Sequence, residues 1–328
     1  MAKLTDEQQY IRMTETPVSK LVTSLAVPTV AGMLVSSIYN ITDTFFVSQL
    51  GTSASAAVGV VFSIQSLIQA VGFSIAMGSG SMVSRRLGQK DNEGACRFVS
   101  SAFLMAFVCG ALVGIFGLLF LEPVMRVLGS TDTMLPHSCD YARYILATAP
   151  IFAASFVLNV AMKSQGRATL SMLGMMAGNL LNVVLDPVFI FGLKMGTSGA
   201  ALATILSQAA SCTWVLLFLT GKTTILKLKV KNLNLKPSIV FPCVALGMAT
   251  FIMQSTESVI SVCFNTSLLK YGGDVAVGAM TILTSVMQFA MLPMQGIGQG
   301  AQPITSYNYG AKNVARGTKT FRLLLIIC

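Results

Sequence analysis

Three carboxylates stand inside long apolar stretches of this chain: Asp43, Asp186 and Glu257. A charge at the centre of a membrane-spanning helix costs about 2.5–3.5 kcal/mol on insertion scales, so acids kept there are expected to have a task. Ionised, they offer hard oxygen ligands to a small cation. In a medium of low dielectric they can instead exchange a proton for a cationic ligand. The companions of these acids fit that chemistry. Spacings of three and four place Asn179, Asn182 and Asp186 on one helix face, and Asn40 shares a face with Asp43. Ser37, Asn159 and Thr204 are further polar residues expected to face the same interior. A bland reading stands beside this one: a single acid can be neutral and hydrogen-bonded between helices.

Two of the acids belong to one repeated pattern. Pro28, Asn40, Thr42, Asp43 and Thr44 recur, 214 residues later, as Pro242, Gln254, Thr256, Glu257 and Ser258. Further on, Ala57-Val58-Gly59 matches Ala276-Val277-Gly278. The run Ser84-Arg85-Arg86-Leu87-Gly88-Gln89-Lys90 then matches Ser306-Tyr307-Asn308-Tyr309-Gly310-Ala311-Lys312. Such a duplication implies two similar halves with an ion site.

The elements that must position these residues are membrane helices. The chain is 54% hydrophobic and 10% charged, with a mean hydropathy of +0.73, too apolar for a water-soluble domain of 328 residues. Runs of about 20 apolar residues cross a bilayer. The apolar runs predict spans near 21–47, 54–82, 99–121, 143–162, 168–192, 197–219, 238–264 and 275–298, with a ninth beginning near 318. The net charge of +10 is not a nucleic-acid footprint, because its placement alternates with the spans. Lysines and arginines gather in the leader, the second, fourth and sixth connections and the segment after span 8. Only Arg126, Arg143, Lys194 and Lys270 are left for the other side. This is the positive-inside pattern, with a cytoplasmic amino terminus in the inner membrane.

Span 7 restarts the pattern of span 1, so the repeat unit is six spans and both halves point the same way. The organisation expected is a leader (1–20) lying as a short helix on the cytoplasmic surface, a six-helix lobe (21–219), a basic linker (220–237) and a partial second lobe (238–328). Two six-span lobes need twelve spans, so the chain reads as a fragment. The fold class is an all-α polytopic membrane protein with only the first lobe complete. No cleavable signal peptide is expected.

Small-residue pairs at Gly110/Gly114, Gly174/Gly178 and Gly296/Gly300 allow close helix approach. Met287, Gln288, Met291 and Met294 form a stripe that suits a pocket for varied apolar shapes, or equally plain helix packing. Seven scattered cysteines carry no CxxC pair, and the lone His137 cannot build a metal cluster. Gly221-Lys222-Thr223 imitates the end of a phosphate loop, but Leu216 stands where that loop needs glycine. No enzyme is expected.

Together these residues resemble the bacterial multidrug and toxic compound extrusion (MATE) family over almost the entire chain. The matching features are the Asp43-Thr-Phe-Phe-Val-Ser-Gln-Leu-Gly51 segment, Ser84-Arg-Arg-Leu-Gly88, Asn179 to Pro187 with its asparagines and acid, and Gln302-Pro303 with Tyr309-Gly310. The resemblance implies a two-lobe exporter of cationic amphiphilic compounds, monomeric when full length, driven by inward Na⁺ or H⁺ and needing no other cofactor. It implies a cation site on Asp43, Asn182 and Asp186, with Asn159 and Thr204 nearby, and Na⁺ as a candidate ligand of the first three. Glu257 matches a glutamate used by some members. The expected substrate cavity takes in Ser37, Asn40, Asn179, Met287, Gln288 and Met291. Two alternatives remain: a flippase of lipid-linked sugars, which would want arginines and lysines in its cavity, and a non-transporting scaffold, which would need no buried acids.

Overall fold

The computed structural model describes residues 6–221, 224–228 and 230–328; side chains at 52–55 and at most positions from 258 to 285 also lie outside the description. Lys3, Lys222 and Lys229 of the predicted basic segments fall outside it.

Every regular element among the described residues is helical. A short α1 (Asp6–Glu15) precedes α2 (Val18–Ser48), α3 (Thr52–Gly88) and α4 (Asn92–Leu119). A seven-residue α5 (Leu121–Val127) leads to α6 (Leu135–Ser164) and α7 (Ala168–Pro187), which runs into a π-helical turn at Val188–Gly192. Then come α8 (Gly196–Thr220), a 3₁₀ turn at Val230–Asn232, α9 (Pro237–Gly310) and α10 (Val314–Ile327). Seven helical stretches among the described residues are long and apolar enough to cross a membrane, the last being Pro237–Glu257.

Glycine sets the spacing between these helices. A β-carbon at Gly110 or Gly114 would meet the backbone of Ala149 or Leu146, closing α4 on α6. Gly174 lies under the Trp214 ring and Gly178 against the Ser207 backbone, closing α7 on α8. Gly296 and Gly300 sit on Val30 and Ala26, closing α9 on α2. All three small-residue pairs therefore mark close approaches, where backbone contact substitutes for the hydrophobic force that lipid does not supply.

One expectation changes. Spans 7 and 8 are expected as separate helices with a loop near 264–275, yet α9 is helical over all 74 residues. A straight helix of that length would be about 110 Å long. Its parts nevertheless meet one neighbour twice: Gly247 packs on Ser74 of α3, and Tyr307 packs on Gly88 of the same helix. Residues 247 and 307 of a straight helix would be about 90 Å apart, so α9 doubles back between them without losing its helical assignment. The leader does form a short helix. It docks across one end of the bundle, burying Gln9 and Met13. Gln9 Nε2 donates to the Gln165 carbonyl in the α6–α7 turn, Asn308 Nδ2 donates to the Met13 carbonyl (3.2 Å), and Arg316 donates to the Thr16 carbonyl.

The two turns that the sequence pairs at an offset of 222 also share a conformation. Lys90 and Lys312 both adopt left-handed backbone, with φ of 61° and 59°. Each is followed by a residue whose N–H reaches back five positions, Asp91 to the Arg86 carbonyl (2.9 Å) and Asn313 to the Asn308 carbonyl (2.9 Å). That is the Schellman closure of a helix end. Asp91 and Asn313 then cap the next helix, accepting from Gly94 N–H (2.8 Å) and Arg316 N–H (3.3 Å).

Candidate functional site

Asp43 lies near the end of α2 and Asp186 at the end of α7, and the fold brings their side chains together as direct neighbours. Asp186 is fully buried and Asp43 partly so. Two carboxylates cannot hold that contact while both are ionised with nothing between them; it needs a shared proton or an intervening cation. Each keeps one buried oxygen, Oδ1, without a partner among the described residues.

The surrounding shell is polar and closed. Asn182, one helical turn before Asp186 and 1% exposed, has its amide best satisfied with Nδ2 donating to Asp186 Oδ2 at 2.8 Å. In the opposite orientation its oxygen would face the carboxylate. Thr204 of α8, 4% exposed, donates to the Ala200 carbonyl (3.0 Å), and the hydroxyls of Tyr39 and Tyr141 lie beside it. The π-helical turn begins directly after Pro187. Proline cannot donate the next backbone hydrogen bond, and the looser winding absorbs that loss beside the acid.

Four helices thus contribute: α2 (Tyr39, Asp43), α6 (Tyr141), α7 (Asn182, Asp186) and α8 (Thr204). The set offers two carboxyl groups, an amide and three hydroxyls in a small volume. These are hard oxygen donors, suited to a proton or a small alkali cation and unsuited to soft metals. No cluster of three or more His, Cys, Asp or Glu side chains exists among the described residues.

Other predicted residues are placed elsewhere. Asn159 donates to the Ser155 carbonyl (2.9 Å) and accepts from Ser171 Oγ (3.0 Å). Ser171 precedes Asp186 by fifteen helical residues, about 22 Å along α7, so Asn159 is a tie between α6 and α7 at the other end. Asn179 donates to Ser36 Oγ (2.8 Å), linking α7 to α2. Asn40 is exposed, with Ser37 partly so beside it. Glu257, Met287, Gln288 and Met291 stand on exposed surface of α9, and Glu257 makes no hydrogen bond or ion pair among the described residues.

Tyr39 and Tyr141 were missed by the sequence reading. Tyr39 had a signal, being four residues before Asp43 and so on its face. Tyr141 fell outside the predicted span starting at 143, because Asp140 and Arg143 resemble a loop; they are instead an exposed pair (3.9 Å) on a helix that begins at Leu135.

Comparison with known proteins decides the family. The MatE family model matches residues 28–188 and 248–328. The chain belongs to the MatE family. Among curated MatE-type relatives, the multidrug export protein MepA of Staphylococcus haemolyticus is 26% identical over 321 residues, covering 98% of this chain and 71% of that protein. A solved structure described as the outward-facing conformation of a multidrug resistance MATE family transporter superposes with a TM-score of 0.91 at 28% identity, covering 99% of this chain and 72% of that one. A MATE structure in the straight conformation gives 0.92 at 27% identity, with 98% and 72% covered. This MatE chain is therefore a multi-pass membrane protein of a transporter family.

Proposed function

We propose that this MatE protein is a cation-coupled exporter of cationic amphiphilic compounds, working by alternating access in the cytoplasmic membrane with its amino terminus inside. The observation that carries the reading is the Asp43–Asp186 contact. A pair that needs a proton or a small cation to persist is a pair whose conformation changes when that ion leaves. Asn182 holds Asp186, the hydroxyls of Thr204, Tyr39 and Tyr141 lie close by, and the Oδ1 atoms, without a partner among the described residues, are the oxygens offered to the ion. Release of the ion would leave two like charges facing each other in a medium where their repulsion is strong. Separation of α2 from α7 relieves it, and that movement is the means of coupling.

The matching turns at Lys90 and Lys312 support a chain built from two similar halves that rock against each other. Multidrug export by MepA and by the MATE relative supports the substrate class. The test is efflux of a fluorescent organic cation from cells expressing the protein, with the proton and sodium gradients collapsed separately. Loss of efflux on collapse of one gradient supports the reading and names the ion. Efflux that survives collapse of both rejects it.

A further inference from the structure

We propose that the cavity beneath α1 is a binding site for a phosphoethanolamine-type zwitterion, a primary ammonium beside a phosphate. This site is distinct from the carboxyl pair and does not depend on the transport reading.

The cavity, about 250 Å³, forms where α1, the end of α3, the start of α4, segment 224–228 and the end of α9 converge. Its walls include Asp6, Glu7, Gln9, Tyr10, Lys90 and Tyr307. Gln9 is 1% exposed; its Nε2 is engaged by Gln165, and its Oε1 has no partner. A buried carbonyl without a donor is costly, so a ligand that donates to it gains correspondingly. Asp6 has Oδ2 taken by Asn92 Nδ2 (2.8 Å), and Glu7 has no ion-pair or hydrogen-bond partner among the described residues. Among the described residues, Gln9 Oε1 and the Glu7 carboxylate on this wall are therefore left as acceptors without a donor. The Tyr10 and Tyr307 rings flank them, with centroids 6.0 Å apart at 54°. Aromatic faces beside carboxylates favour a cation, and a primary ammonium brings three N–H donors where a quaternary one brings none.

Lys90 supplies the second half of the recognition. Its Nζ lies 4.4 Å from the Tyr10 ring centroid, and no carboxylate is within ion-pair distance among the described residues. A bare amine would be repelled by it, whereas an ammonium carrying a phosphate pairs with both signs on the wall. The same chemistry comes from a phospholipid headgroup or from a soluble ester. Because α1 is part of the wall, occupancy also strengthens its docking.

The test uses the purified protein in nanodiscs and native mass spectrometry of retained lipid, with thermal shift by soluble phosphoethanolamine in detergent as the second arm. Retention of phosphatidylethanolamine at least tenfold over phosphatidylcholine assigns the headgroup; a shift by the soluble ester alone assigns a solute; either supports the site. Glu7→Gln, at an exposed position without a partner among the described residues, and Lys90→Asn, which accepts left-handed backbone, should each weaken binding about tenfold, with Gly59→Ala as the unaffected control. Equal retention of ethanolamine, choline and glycerol lipids with no shift by the ester overturns the proposal. Binding by both variants as tight as in the unaltered protein overturns it equally.

Discussion

Gly88 and Gly310 face each other across the α3–α9 contact, each against the other helix's backbone. A β-carbon at Gly88 would collide with the Tyr307 carbonyl, and one at Gly310 with the Arg85 carbonyl. The offset of 222 that relates the glycines also relates Arg85 to Tyr307, so the contact is reciprocal. Two equivalent positions meeting in this way is what a twofold arrangement of similar halves produces where its axis crosses a helix pair.

Because backbone cannot yield as a flexible side chain can, Gly88→Val or Gly310→Val should destabilise the protein by about 2–3 kcal/mol or more. Thermal unfolding in detergent measures this. Gly59→Ala on the same α3, with nothing within 4 Å of its β-carbon position, should not lower the midpoint and should raise it slightly, since alanine is the better helix former.

Removing the donor to Asp186 should damage coupling without unfolding the bundle. Asn182→Ala leaves Asp186 Oδ2 short of its 2.8 Å partner. Coupled efflux is expected to fall tenfold or more, the equivalent of about 1.4 kcal/mol. Tyr39→Phe, which removes one hydroxyl from Thr204, should have a smaller effect in the same direction, read as initial efflux rate at matched expression.

Asn159→Ala separates the geometry from the sequence pattern. Its bonds go to Ser155 and Ser171. Ion dependence of efflux is expected to match the unaltered protein, with at most about 1 kcal/mol lost in stability. A changed ion dependence would return Asn159 to the coupling site.

The docking of α1 predicts local exchange behaviour. Asn308→Leu removes the 3.2 Å bond to the Met13 carbonyl. Amides of 6–15 should then exchange with deuterium about tenfold faster, while those of α6 and α7 keep their protection.

Much of this architecture is legible in the sequence because membrane helices are fixed by length and apolarity alone. The first six predicted spans differ from α2–α4 and α6–α8 mainly at their ends, where amphipathic turns extend past the apolar run. Asp43, Asn182, Asp186 and Thr204 do assemble, since acids and amides in apolar helices stand out against their surroundings. Tyr141 did not stand out, as a tyrosine beside Asp140 looks like a boundary residue until its helix is known to start earlier. Asn159 lies apart from them for the opposite reason: a polar residue in a span can tie two helices locally. The seat of α1 depends on Gln165 and Asn308, contacts 156 and 295 residues distant in sequence, which no local pattern encodes.

The central claim is that Asp43 and Asp186 act as one unit, and the direct measurement is coupled efflux by Asp43→Asn, Asp186→Asn and the double variant at equal expression. Each single variant is predicted to lose nearly all ion-driven efflux, and the double to lose no more than either, because units that act together are not additive. Efflux unchanged in either single variant, or two partial losses that multiply in the double, would contradict the account.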